Sequence, residues 1–461
     1  MFQIHLSECG SALRKKLYLV QPTYRDCNGR LLKGTRLYTV SLALPALSAI
    51  VPPGWERQTC FEHFDDIDFD SDASVIAISC MGYEIFRGIE IADEFRKRGK
   101  TIIFGGFQAR LSTTHLAPHC DAIVYGNPGI SDLARILLDV ENHSVHPVYE
   151  CGVDLDYRLD YSILDPRRLV FTPVLLGVGC RNACDFCCVG SLYQGRYATR
   201  NLATVLDELT ELSHTTSRLA VIDTNCYNDR EYLRELCRGM IQRKFHFFWG
   251  AQCTIDIGDD AETLALLRKA GCRVLFIGME SIDQFNLDAV RKRHRADAYP
   301  RRIQTIHRAE IRIAAFFIYG FDHDTADTAR ALSQFIADHH IALPMINVLV
   351  PLPGTRIFEQ LKTQGRLLSA EPNDFLKNNP AYNSSFNLCL YTPKHMSPRQ
   401  VEEGFVELLG RLAGWPQTIW RSLGGGLSLS AFFLYMNWQF RREYFELRKR
   451  IDMQRRLQAP S

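Results

Sequence analysis

Neither sign of charge dominates this chain: 54 Lys and Arg stand against 52 Asp and Glu, a formal net charge of +2. With no basic domain appended, that balance gives no electrostatic basis for a nucleic-acid partner. The sequence has no internal repeat and no low-complexity segment, so neither a solenoid nor a long biased tract is expected. Its first residues, Met1–Glu8, lack a basic region followed by an apolar run, and no signal peptide is expected. Cysteine is not scarce, but the 15 cysteines are scattered through 461 residues rather than packed into a short scaffold. Such scatter fits a reducing compartment better than a disulfide framework. We therefore expect a cytoplasmic protein, with membrane association as a second option. Hydrophobic content of 46% and charged content of 23% are ordinary globular values, and the length suggests two or three domains.

What is present is more telling. Cys180, Cys184 and Cys187 lie in the run Gly179-Cys180-Arg181-Asn182-Ala183-Cys184-Asp185-Phe186-Cys187, a C-x3-C-x2-C spacing. Three thiolates on one short loop hold three irons of a [4Fe–4S] cluster and leave the fourth without a protein ligand. An iron left open is a place for a small molecule, so the spacing suggests catalysis. Two alternatives stand beside it. Free cysteines are small hydrophobes often found inside proteins. A zinc site needs a fourth ligand, and Cys188, directly after Cys187, is poorly placed to close a tetrahedron.

The organisation reads as α/β throughout. In residues 1–150 the apolar runs Leu17–Val20, Val75–Cys80, Thr101–Phe104 and Ala122–Tyr125 predict buried parallel strands. Ile85, Ile89, Ala92 and Phe95 recur at helical spacing before Gly99. Gly105-Gly106 and Gly126-Asn127-Pro128-Gly129 follow strands, either as ligand-approach loops or as plain tight turns. This is a doubly wound, Rossmann-like pattern. A polar linker, Glu141–Arg168, leads to a second region, 165–380. There, strands are expected at Phe171–Gly177, Leu219–Asp223, Phe245–Gln252, Val274–Gly278, Ile313–Tyr319 and Met345–Val350, with helices such as Ala203–His214 and Asp260–Ala270 between. Six strand–helix repeats suggest a partial (β/α)6 barrel, whose catalytic groups gather at the strands' carboxyl ends. The cysteine loop, Asp223-Thr224-Asn225, Glu280 and Asp322 all fall at such ends. Residues 381–461 read as mostly helical from about Ser397. In them Leu423–Phe440 carries no charge. It reads as a buried or substrate-covering helix, with an interfacial helix and a membrane span as alternatives.

These features resemble the radical S-adenosylmethionine (SAM) superfamily, and more closely its class with an N-terminal cobalamin-binding-type domain, which includes hopanoid and chlorophyll-pathway enzymes. The resemblance rests on the cysteine motif, Pro53-Gly54-Trp55-Glu56, Ile91–Gly99, Phe104-Gly105-Gly106, Gly278-Met279-Glu280-Ser281, Tyr319–Asp324 and Pro351–Thr355. It implies that Cys180, Cys184 and Cys187 ligate the cluster. The open iron would chelate SAM, and one electron would release a 5′-deoxyadenosyl radical able to abstract hydrogen from an unactivated carbon. It further implies that Phe186 places backbone groups beside the adenine, Asp223 and Asn225 reach the SAM amino group, Gly278 and Glu280 meet the ribose or methionyl end, and Arg200 pairs with the SAM carboxylate. Ser79, Gly105, Gly106, Tyr125 and Gly126 would line the cobalamin. Read from the residues alone, Asp223 and Asn225 are equally helix caps, Glu280 a rim salt bridge, and Asp322 and Asp324 turn residues.

Departures from the family pattern bear on cobalamin. The first domain lacks D-x-H-x-x-G, as is usual for this class; Gln108 stands where relatives often have His; and Gly126–Gly129 replaces Gly-Glu-x-Glu. In the barrel, Asp223-Thr224-Asn225 replaces a frequent Asp-Asp-Asn. The resemblance thus implies a cobalamin-dependent methyltransferase acting on an unactivated carbon of a small-molecule or lipid-like biosynthetic intermediate. The alternatives are a cobalamin-independent radical SAM enzyme with a vestigial first domain, and a non-catalytic cluster-binding protein. An electron donor such as flavodoxin or ferredoxin is implied, and the C-terminal region is a candidate for peripheral membrane contact.

Overall fold

The computed structural model describes residues 15–26, 29–82, 84–369 and 389–458. Met1–Glu8 and the expected boundary between 380 and 381 lie outside the described residues. The chain forms two compact units. One comprises residues up to Arg25, Leu31–Thr35 and Leu42–Leu164; the other comprises Asp26–Arg30, Arg36–Ser41 and everything from Asp165.

In the first unit, six parallel strands take the order β2-β1-β3-β4-β5-β6. They are β1 (Lys16–Gln21), β2 (Glu56–Phe61), β3 (Val75–Ser79), β4 (Thr101–Gly105), β5 (Ala122–Asn127) and β6 (Val148–Val153). Continuous apolar runs are buried in the middle of the sheet: Leu17, Leu19, Val75, Ile76, Ile102 and Phe104 are fully enclosed. The helix Glu84–Arg96 lays Ile85, Ile91, Ala92 and Phe95 on the sheet, and Phe95 meets Tyr18 edge-on at 6.0 Å. The order reverses between β1 and β3, so the ligand crevice of a doubly wound sheet falls beyond Gln21 and Ser79. Two strands were not expected. β2 and β6 are the sheet edges, and their half-exposed, polar-rich sequences carry no apolar run. β6 also corrects the linker: Glu141–Arg168 contains a strand.

The second unit holds the partial barrel. Six parallel strands run in the order β14-β13-β12-β11-β10-β7. These are β7 (Thr172–Val174), β10 (Arg218–Val221), β11 (Phe248–Cys253), β12 (Cys272–Glu280), β13 (Arg312–Tyr319) and β14 (Leu343–Val348). The expected first strand, Phe171–Gly177, is in fact broken. After β7 the chain leaves the sheet because the Leu176 amide donates to Asp223 Oδ1 (2.8 Å) instead of to a ladder neighbour. It then forms a small antiparallel hairpin of β8 (Gly177–Gly179) and β9 (Tyr197–Thr199), and the cysteine loop grows from that hairpin.

Three helices close the chain: Pro398–Leu412, Trp415–Ser422 and Leu427–Gln458. The uncharged segment does not cover the catalytic end of the barrel, which corrects the substrate-covering reading. Leu429 and Phe433 pack against Val274, Ala314, Ala342 and Leu343, with Phe248 and Met345 alongside. Those residues lie within the first three positions of their strands or just before them, so the helix plugs the amino-terminal end, opposite the cysteine loop. A polar network fixes it there. Arg421, fully buried, donates to Asn437 Oδ1 (2.9 and 3.2 Å), and Asn437 Nδ2 donates to the Ala342 carbonyl (2.8 Å). Arg312 donates to the carbonyls of Leu423 (2.6 Å) and Arg421 (2.8 Å). No helix among the described residues is long and apolar enough to cross a membrane.

Candidate active site

The cysteine loop is tied at its base from three directions. Gly179 takes φ +87°, and a Cβ there would lie 2.2 Å from the Arg196 carbonyl, so only glycine lets β8 and β9 approach this closely. Thr224 Oγ1 donates to the Gly179 carbonyl (2.6 Å). The Asn228 carboxamide oxygen accepts the Arg181 amide (3.2 Å). Beyond Cys184, the Asp185 amide donates to Val290, its carbonyl accepts from Ile357, and its buried carboxylate pairs with Arg291. The loop is therefore held between the ends of β10, β12 and β14.

Cys184 is buried, and Cys180 and Cys187 are half-buried. Burial pushes the Cys184 thiol up to about 11, against the opposing pull of Lys292. Burial also raises Cys187, while the amides of Val189 and Gly190 and the Lys292 ammonium favour its thiolate. Thiols raised by burial ionise when a cationic centre takes them as ligands. Among the described residues no three His, Cys, Asp or Glu side chains converge as a single ion would require. A cubane binds each thiolate on a separate iron, so three thiols on one loop, facing amide donors and an ammonium, fit it. Cys188 opens the short helix Cys188–Tyr193, and burial lifts its thiol to about 12.

The other sequence-predicted residues divide. Phe186 is half-buried and meets Phe321 edge-on at 6.4 Å. Asp223 is buried at the end of β10 and fully engaged: Oδ1 accepts the Leu176 amide and Oδ2 accepts the Tyr197 hydroxyl (2.9 Å). Burial raises it to about 7 despite those donors. Asn225 caps the turn that follows, its Oδ1 accepting the amides of Tyr227 (3.1 Å) and Thr254 (3.3 Å). Arg200 is 2% exposed and forms a bidentate pair with Glu208 (2.6 and 2.7 Å). Its guanidinium is thus committed to the barrel wall, which removes the physical ground for assigning it to a SAM carboxylate.

Glu280 stands at the carboxyl end of β12 with φ +65°, a left-handed conformation rare for a side-chain-bearing residue and common at functional sites. The β12–β13 register shifts there. Its carboxylate accepts from Lys292 Nζ at 2.9 Å, and both residues are buried. Gly278 makes room for the pair: a Cβ on it would sit 2.4 Å from Glu280 Oε1 and 3.2 Å from Lys292 Nζ. Lys292 is the buried cation beside the thiols that sequence reasoning missed. It lies in the polar run Arg291-Lys292-Arg293-His294-Arg295, whose composition looks solvated. The one available signal was its spacing after Glu280. Tyr197 and Asn228, which brace the loop, were also missed, because only the fold brings them near it.

In the first unit, Ser79, Gly105, Gly106, Tyr125 and Gly126 end β3, β4 and β5 side by side. Gly106 is dictated by packing, since a Cβ would approach the Cys80 carbonyl (2.7 Å) and Ser79 Oγ (2.9 Å). Gly126 is likewise hemmed by the Cys151 carbonyl (2.2 Å). Gly105 is different: a Cβ there meets nothing within 4 Å, which leaves an open cradle at the strand end. The Tyr125 hydroxyl pairs with Thr113 (2.6 Å), and Gln108 is buried and bonded to Ser112. The open edge beside the switch point fits a large planar cofactor lying over backbone, without a ligand from Gln108.

The fold and the thiol loop together define a radical enzyme of the partial-barrel type with an added doubly wound unit. Residues 174–336 match the model of the radical SAM superfamily, so the partial barrel is a radical SAM domain. It is 25% identical over 352 residues to bacteriochlorophyllide d C-12(1)-methyltransferase of Chlorobaculum tepidum, covering 73% of this chain and 74% of that protein. It is 26% identical over 247 residues to the hopanoid C-2 methylase of Rhodopseudomonas palustris, covering 51% and 47%. Among solved structures, the radical SAM methyltransferase TsrM of Kitasatospora setae, with tryptophan and a SAM analogue bound, superposes with a TM-score of 0.70. That match covers 96% of this chain and all of TsrM at 15% identity.

Proposed function

We propose that this protein uses a [4Fe–4S] cluster, SAM and cobalamin to methylate an unactivated carbon of a small-molecule or lipid-like biosynthetic intermediate. The observation that carries the reading is the hairpin-held loop presenting Cys180, Cys184 and Cys187 beside the buried Glu280–Lys292 pair. Its support is that the fold of a solved methyltransferase matches 96% of the chain rather than the barrel alone, and that a bacteriochlorophyllide methyltransferase aligns with 73% of it. When bound, the cluster and SAM supply one-electron activation of a C–H bond, and cobalamin supplies a methyl carrier.

The chain's own residues position and screen. Cys180, Cys184 and Cys187 are the cluster ligands. Lys292 offsets thiolate charge and provides the cation for an anionic group of SAM, and Glu280 orients Lys292 and offers an acceptor. Gly278 keeps that corner open, and Phe186, backed by Phe321, gives an apolar wall for the adenine. Asp223 and Asn225 act through the loop they brace rather than by touching SAM. Ser79, Gly105, Gly106, Tyr125 and Gly126 form the cobalamin edge. The electron comes from a small reductant of the flavodoxin or ferredoxin kind. We read the units as a cobalamin-type domain, a barrel that begins near residue 165 and a C-terminal helical region.

The test is product analysis on anaerobically prepared protein supplied with cobalamin. Formation of S-adenosylhomocysteine alongside SAM cleavage is the expected result. SAM cleavage to 5′-deoxyadenosine and methionine with no S-adenosylhomocysteine would replace methyl transfer with cobalamin-independent radical chemistry.

A further inference from the structure

The helix Leu427–Gln458 has two unlike faces. Leu429, Phe433 and Asn437 are buried in the barrel plug. On the opposite side Leu427 is 92% exposed, Leu434 42% and Trp438 41%, at spacings of seven and four residues that keep them on one stripe. The neighbouring helix adds Trp415, Ile419 and Trp420, each at least half exposed. A solvated surface helix carries charge on that face; here Leu423–Phe440 has none. The plug explains why the inner face is apolar. It does not explain the outer one.

Charge lies directly next to the patch. Between residues 441 and 458 there are seven Arg and Lys against three Asp and Glu, enough to supply the whole chain's net charge of +2. Arg441 sits over the Trp415 ring at 4.7 Å, at the seam between the aromatic and basic parts. Exposed Trp and Leu with adjacent cations are the composition that settles at the headgroup boundary of an anionic bilayer. A second copy is the competing occupant of such a face, and the experiment below separates the two.

We infer that the stripe Leu427–Leu434–Trp438, with Trp415, Ile419 and Trp420, docks the protein on an anionic lipid surface, lying in the interface without crossing it. The surface belongs to the amino-terminal end of the barrel, so it tethers the enzyme rather than feeding the catalytic end. The inference rests on the fold and does not depend on the proposed reaction.

The experiment is co-sedimentation of the full-length, cluster-loaded protein with vesicles of phosphatidylcholine alone and of phosphatidylcholine with phosphatidylglycerol. Three of the five tryptophans lie in the patch, so emission is recorded in parallel. Binding to the anionic vesicles, a blue shift and weakening by salt are expected. The double variant Leu427→Glu/Trp438→Glu should bind at least about tenfold more weakly with its cluster absorption unchanged. Absence of vesicle binding, or binding that the double variant does not reduce, overturns the inference. So does a concentration-dependent dimer that the variant dissolves while vesicles remain unbound, which would assign the face to a second copy.

Discussion

Cys187 and Cys188 are adjacent and both half-buried, yet the proposed reading gives them different tasks. Replacing Cys180, Cys184 or Cys187 with Ala is expected to remove the cluster's visible absorption, most bound iron and all SAM cleavage, whereas Cys188→Ala keeps all three; iron and sulfide analysis with absorption spectroscopy checks this. Asp223 makes a prediction of another kind. Its folded value, about 7, lies above the ordinary 3.8, because burial outweighs its two donors. The native state therefore holds the proton more tightly than the unfolded chain. The resulting stabilisation is complete below the unfolded value and is lost as pH rises through about 7, on the order of 4 kcal/mol in all. Asp223→Asn retains an acceptor for Leu176 and a donor for Tyr197. Denaturant titrations across that range should show the decline flattened in the variant, with the cluster retained. Loss of SAM cleavage in a stable, cluster-bearing Asp223→Asn protein would instead return the carboxylate to direct SAM contact.

At the scale of elements, the long helix is held by one buried polar node. Asn437→Ala leaves Arg421 with a buried guanidinium short of an acceptor and the Ala342 carbonyl without a donor. A loss of roughly 3 kcal/mol is expected by denaturant unfolding, against well under 1 kcal/mol for the half-buried neighbour Gln439→Ala. The same elements show what was legible in the sequence. β3, β4, β12 and β13 were readable because central parallel strands are continuous apolar runs bounded by turns. β2 and β6 were not, because edge strands need burial on fewer sides. The β8–β9 hairpin hid inside one apparent strand, since no local signal tells that Leu176 will bond a carboxylate 47 positions away. The cysteines were legible because their spacing is itself the chemistry. Lys292 and the Arg200–Glu208 pair were not, because a buried ion pair is made by the fold, and its members look solvated in sequence.

At the scale of the whole molecule, the question is whether two units that share the fold of a solved methyltransferase carry two separable cofactors. In the proposed reading the cluster would be held by the barrel's loop and cobalamin by the ends of β3, β4 and β5, two sets with no residue in common. Cys184→Ala is therefore expected to keep about one cobalamin per chain while losing the cluster. The reciprocal variant is supplied by Gly105. A Cβ at Gly105 meets no atom within 4 Å, so Gly105→Val is expected to fold; it should nevertheless fill the cradle and lose cobalamin. Gly106→Val, which would press on the Cys80 carbonyl and Ser79, is the contrasting control and should lose stability outright. Cobalamin is read by absorption after anaerobic purification, the cluster by iron content, and folding by thermal unfolding. If Gly105→Val keeps its cluster and its stability, loses cobalamin and stops forming S-adenosylhomocysteine, the first unit carries the methyl group. If it keeps both cobalamin and product, the cradle lies elsewhere, and the open edge at Gly105 is a turn whose space serves no ligand.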